Sequence, residues 1–137
     1  MRTLRLTAIV AVLTGLLGCG SGDVNAQSVI DRLPQLLIGT WLRDQESSDG
    51  GQTWVDRTDD LRFTFLDGSH WADNRNRAGT YSLYRDKLVY IWPGNETRFV
   101  QLRVLSNGNR LEWVFYTSDS YTTTTDYVSR WTRISAR

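Results

Sequence analysis

From residue 36 onward, apolar and polar side chains alternate along most of this chain. Leu61, Phe63 and Phe65 share one side of an extended segment, with Arg62 and Thr64 between them. Val100, Leu102 and Val104 repeat the period of two, as do Leu111, Trp113 and Phe115. A period of two is that of a strand with one face buried. Strands are predicted over residues 37–45, 53–66, 69–75, 79–84, 87–92, 96–105, 110–117 and 126–134, the second weakened at 57–60. Asp67-Gly68, Arg85-Asp86, Pro93-Gly94-Asn95 and Ser106-Asn107-Gly108-Asn109 supply the turns between them. Residues 28–33 predict one helical turn, stopped by Pro34. Short strands, tight turns and no helical crossover give an all-β fold. Eight such strands in an antiparallel up-and-down meander close into a barrel, which removes the exposed edges. No C-terminal helix is expected.

Ahead of the alternating region the pattern changes. Arg2 and Arg5 precede a mainly apolar region over residues 6–17, followed by Gly18 and Cys19, the single cysteine of the chain. A charged start, a short apolar run and a small residue form an export signal, too short to span a bilayer as a mature helix. Leu16-Leu17-Gly18-Cys19 resembles the lipobox of bacterial lipoproteins. That resemblance implies a signal peptide at 1–18 and an acylated Cys19 inserted in a lipid bilayer. Several acyl chains on one residue hold firmly where one would not. Residues 20–27 are small and polar, so 19–29 reads as the lipidated cysteine and a flexible tether, and 30–137 as the barrel domain. Gly20 stands where an inner-membrane retention signal would show Asp. The resemblance therefore implies the outer membrane, facing the periplasm.

Removing the signal leaves about 118 residues, the size of one domain. Without a second cysteine there is no disulfide, so a core must hold the fold; six Trp, six Tyr and four Phe can supply it. Lys and Arg total 16 against 15 Asp and Glu, which becomes 14 against 15 without Arg2 and Arg5. That balance gives no electrostatic case for nucleic acid. Catalytic groupings are absent: His70 is the sole histidine and sits on a predicted strand beside Trp71, and no Ser or Cys has a nucleophile's setting. Asp56, Asp59 and Asp60 lack the spacing of a calcium loop and mark the break in the second strand. No metal and no cofactor is implied.

Ser47-Ser48-Asp49-Gly50-Gly51-Gln52-Thr53-Trp54 matches the Asp-box pattern S-x-D-x-G-x-T-W at every fixed position. Sialidase propellers carry the box repeatedly; here it occurs once, in a chain too short for a propeller. Ser47, Asp49, Gly51 and Trp54 are accordingly read as a structural hairpin device between the first two strands. The Asp accepts backbone N–H bonds, the Gly takes a positive φ and the Trp packs beneath.

Gly39-Thr40-Trp41 resembles the G-x-W that opens lipocalins and lipocalin-like domains. Phe63-Thr64-Phe65-Leu66-Asp67-Gly68, Gly79-Thr80-Tyr81-Ser82-Leu83 and the closing Trp131-Thr132-Arg133 are similar to segments of small bacterial lipocalin-like domains, in the same order. The resemblance covers residues 36–134 and implies a barrel whose Arg133 covers the Trp41 ring at the closed end. The chain departs from true lipocalins in having no disulfide and no C-terminal helix.

Counting strands puts the turns at 67–68, 85–86 and 106–109 at one end with both ends of the barrel chain. The loops at 46–52, 76–78, 93–95 and 118–125 lie at the other, and the two longest of these make that end the expected mouth. Tyr81, Tyr90, Trp92 and Phe115 have inward parity near it and are the candidate ligand wall. They either fill a narrow barrel or line a cavity. Tyr121 with Thr122 to Thr125 is either a lid or a solvated loop. Val89, Ile91, Phe99, Val114 and Tyr116 form an outer apolar stripe that needs cover, from residues 29–37 or from an envelope protein partner. Two functions follow: a membrane-anchored binder of a small apolar ligand, or an interaction module with a filled barrel and an outer contact stripe. Neither is an enzyme.

Overall fold

In a computed structural model, residues 21–135 are described; the signal segment and Cys19 lie outside them. The elements are α1 (Ser21–Leu37), β1 (Gly39–Ser47), β2 (Val55–Asp56), β3 (Arg62–Phe65), β4 (His70–Asp73), β5 (Ala78–Tyr84), β6 (Lys87–Trp92), β7 (Glu96–Leu105), a 3-10 turn η1 (Ser106–Gly108), β8 (Arg110–Tyr116) and β9 (Thr124–Ser135). All pairings are antiparallel. β1, β3 to β9 and back to β1 form a closed eight-stranded up-and-down barrel. β2 pairs with the far half of β1, through Gln45 with Asp56 and Glu46 with Val55. β2 and β3 together are the broken second strand that the weak stretch at 57–60 marked.

The inner faces pack rings on rings. Phe63 stacks on Trp71 at 4.6 Å between centroids and meets Trp113 edge-on at 5.2 Å. Trp113 stacks in turn on Trp131 at 4.6 Å. Leu88, Val100 and Leu111 are fully buried around them. Aromatic side chains bring a large apolar area each, which is how a small barrel without disulfides holds itself.

The N-terminal segment differs from its expectation. α1 starts at Ser21, inside the stretch read as a tether, and carries Pro34 within it rather than stopping there. Proline removes one helix hydrogen bond. Burial of Leu33 and Leu37, which join the core cluster at 1 % and 0 % exposure, outweighs that loss. The last turn of α1 seals the end of the barrel that holds the β3–β4, β5–β6 and β7–β8 turns. Leu36 packs on Gly108 in η1, whose φ of 91° and close approach both require glycine. The Trp41 Nε1–H donates to the Leu37 carbonyl at 2.9 Å. Arg133 donates to the carbonyls of Leu36 and Ile38. It also lies over Trp41, as the closed-end reading expected.

Part of the outer stripe is covered by the chain itself, from a segment other than residues 29–37. The loop after β8 turns back at Tyr121 (φ 52°) and lays that ring against Phe99 at 6.2 Å and Tyr116 at 5.2 Å. The Tyr121 hydroxyl donates to the Leu88 carbonyl at 3.2 Å, and Lys87 Nζ stands 5.0 Å from its ring centre. Tyr121 is thus an outside strap, neither a lid over the mouth nor a solvated loop.

Candidate functional site

The end of the barrel opposite α1 is open. A cavity of about 310 Å³ enters there, at the small end of the range typical of ligand sites. Its floor is Phe63, Trp113 and Trp131, the same rings that close the core below. Tyr90, Trp92 and Phe115 form one wall, and Tyr127 and Ser129 of β9 another. At the rim stand Arg43, Arg77 and Arg98.

Of the four residues assigned to a ligand wall from parity, three meet here: Tyr90, Trp92 and Phe115. Tyr81 does not. Its ring packs edge-on against Phe65 at 4.9 Å and its hydroxyl donates to the Asp67 carbonyl in the β3–β4 turn, which belongs to the sealed end. Inward parity was right, but β5 crosses the barrel with Tyr81 below its midpoint.

The three arginines were not among the sequence candidates, although two carry a readable signal. Arg98 precedes Val100, Leu102 and Val104 at the same spacing, so it continues their inner face up to the mouth. Arg43 follows Trp41 by two. A register shift between Arg43 and Gln45 then pairs Arg43 with Trp131 and Glu46 with Ser129, so both acquire inner positions. Arg77 lies in the β4–β5 loop and has no such signal.

Each guanidinium is fixed from behind. Arg43 donates to the Tyr127 hydroxyl at 3.2 Å and to Asp59 at 2.6 Å; Tyr127 donates onward to Glu46 at 2.8 Å. Asp59 also accepts from Arg75 at 2.6 Å and from Arg57 at 3.4 Å. Burial alone would raise the Asp59 carboxyl, but the hydrogen bond from Arg75 and the neighbouring Arg43 and Arg57 hold it at about 2. Asp59 therefore anchors an arginine cluster instead of merely interrupting a strand. Arg77 Nε donates to Asp73 at 2.7 Å and its guanidinium carbon lies 4.3 Å from the Trp92 ring centre. Arg98 contacts Glu96 at 3.0 Å and lies 5.5 Å from the same ring. Trp92 is stacked on Trp71 at 5.5 Å, so the ring that carries both cations is itself held by the core.

Among the described residues, the Trp113 Nε1–H and the Nε of Arg43 and Arg98 are buried and find no acceptor. Tyr90 is 4 % exposed, and burial pushes its phenol up, so the hydroxyl keeps its proton.

The Asp-box is a hairpin device in the structure. Asp49 Oδ1 accepts from the backbone N–H of Gln52 at 3.0 Å and of Thr53 at 2.9 Å, and Ser47 Oγ accepts from Gly51 at 2.9 Å. Gly51 has φ 91°, and the Trp54 Nε1–H donates to its carbonyl at 3.0 Å. The Trp54 ring carries Arg130 on its face at 3.6 Å, outside the barrel. His70 is exposed, with Nδ1 against the Asp67 carboxylate at 3.1 Å. Among the described residues no cluster of His, Cys, Asp or Glu has the arrangement of a metal site, and no helix is long and apolar enough to cross a membrane. No protein family, curated protein or solved structure matches this chain.

Proposed function

We propose that this chain is a lipid-anchored binding protein of the cell envelope that takes a small molecule with an apolar, ring-shaped body into the mouth of its barrel. The observation that carries the reading is the ring-lined cavity of about 310 Å³ above the aromatic core. Apolar contact with Phe63, Trp92, Trp113 and Phe115 contributes roughly 25 cal/mol per Å² removed from water, enough for micromolar affinity in a small guest. The order of lipocalin-like segments along the chain supports the same reading. The alternative, an interaction module using the outer stripe, is less well supported because Tyr121 covers Phe99 and Tyr116.

Titration of the full chain with the neutral dye N-phenyl-1-naphthylamine tests the cavity. Saturable, blue-shifted dye emission is expected, weakened by Phe115→Trp, which enlarges a wall residue. No saturation, or binding indifferent to the substitution, would refute the cavity as a binding site. For the anchor, Cys19→Ser should move the protein from the membrane to the soluble fraction; unchanged retention would remove the lipid from the reading.

A further inference from the structure

We infer that the guest is an organic anion, a flat aromatic carboxylate whose charged group meets the arginines of the rim while its ring system lies on the tryptophan floor. This deepens the binding role proposed above and rests on it.

Two observations on the cavity carry the inference. Its lining holds three guanidiniums, of Arg43, Arg77 and Arg98, and no carboxylate. The acids that fix them, Asp59 and Glu46 for Arg43, Asp73 for Arg77 and Glu96 for Arg98, are absent from that lining, so the face turned to the guest is cationic even though each arginine has a partner. Arginine presents several N–H groups in one plane. Arg77 spends Nε on Asp73, which leaves the two terminal nitrogens for a second acceptor.

The second is shape. Arg77 and Arg98 both lie against the Trp92 ring, which places the cationic rim directly above an aromatic wall. A guest seated there has its charge and its ring at opposite ends of a short molecule. The volume accommodates one or two fused rings.

The test is a matched pair, 2-naphthoate and 2-naphthamide, nearly isosteric and differing in charge. Each is titrated into the full chain, with tryptophan emission and calorimetry as readouts. Naphthoate is expected to bind at least tenfold more tightly than the amide, and its affinity to fall several-fold between low and high salt while that of the amide does not. Arg98→Gln and Arg77→Gln should each reduce naphthoate binding severalfold and leave naphthamide binding unchanged. Near-UV circular dichroism checks that each variant is folded. If one variant does not fold, the other carries the comparison. Equal binding of acid and amide, with no salt dependence, would overturn the anion assignment while leaving the cavity a binding site. Binding of neither would overturn the cavity reading and the assignment with it.

Discussion

Arg133 and Trp41 are direct cross-strand partners between β9 and β1, and the guanidinium carbon of one lies 4.4 Å from the ring centre of the other. The same guanidinium reaches two backbone carbonyls at the end of α1, while the Trp41 indole takes a third. One pair thus joins the barrel seam to the helix that seals it. Burial lowers the arginine's hold on its proton only from a very high starting value, so the charge persists at any ordinary pH.

Replacing Arg133 with Met keeps the stem and removes both the cation and the donors. The expected loss is about 1–3 kcal/mol, from the cation–π contact and the carbonyls left without donors. Urea denaturation measures it. Hydrogen exchange should show residues 33–37 losing protection before the strands do. Equal protection of α1 in both proteins would show that the helix does not depend on this side chain.

Acid should weaken the fold in a defined window. Asp59 titrates at about 2 in the folded protein. Asp67 is also held at about 2, by the backbone N–H of Ser69 and of His70 against some desolvation. An unfolded aspartate titrates near 3.9. Because the folded values are depressed, the stabilisation is fully present above the unfolded value and is lost as pH falls towards the folded one. The urea midpoint should be flat from pH 7 to about 5 and decline between about 4 and 2. Asp59→Asn should lower the midpoint at neutral pH and flatten part of the acid decline; parallel pH curves for the two proteins would contradict the role given to Asp59.

At Gly79 a methyl group would meet the Trp71 Nε1 at 2.8 Å and press closer still on the Ile91 carbonyl. Those two atoms are hydrogen-bonded to each other at 3.2 Å, directly behind the Trp71–Trp92 stack. Gly79→Ala should therefore cost about 1–3 kcal/mol and disturb the near-UV signal of the stacked indoles. An unchanged spectrum and midpoint would mean that the backbone of β5 shifts without strain.

The strap offers a different handle. Tyr121→Ala should uncover Phe99 and Tyr116, lower stability by about 1–2 kcal/mol and raise concentration-dependent self-association in sedimentation velocity. A monomer of unaltered stability would reduce Tyr121 to decoration.

The barrel was legible because its strands obey a period of two and its turns are written in Gly, Asn, Asp and Pro. Phe63, Val100 and Trp113 all fall where alternation puts them. The interruption before Leu61 was visible too, although its purpose was not: that Asp59 gathers Arg43, Arg57 and Arg75 depends on the loop's path, which no local pattern encodes. The height of a residue along the barrel was equally hidden. Tyr81 and Tyr90 are register partners, yet only Tyr90 faces the cavity, because the tilt of the strands separates them along the axis. Helix α1 exceeded its local signals because Leu33 and Leu37 gain their stabilisation from the barrel end, not from the helix itself.

Sealing one end with α1 fixes which way the molecule can be held. The chain enters the barrel at Gly39 and leaves it at Ser135, both beside the plugged turns, and Thr40 and Ser135 are cross-strand partners. A domain immobilised through either of those points, on a surface, a bead or a fused neighbour, turns its arginine-rimmed opening towards the surrounding solution. Molecules can then come and go at the free pole while the pole that carries the attachment stays closed.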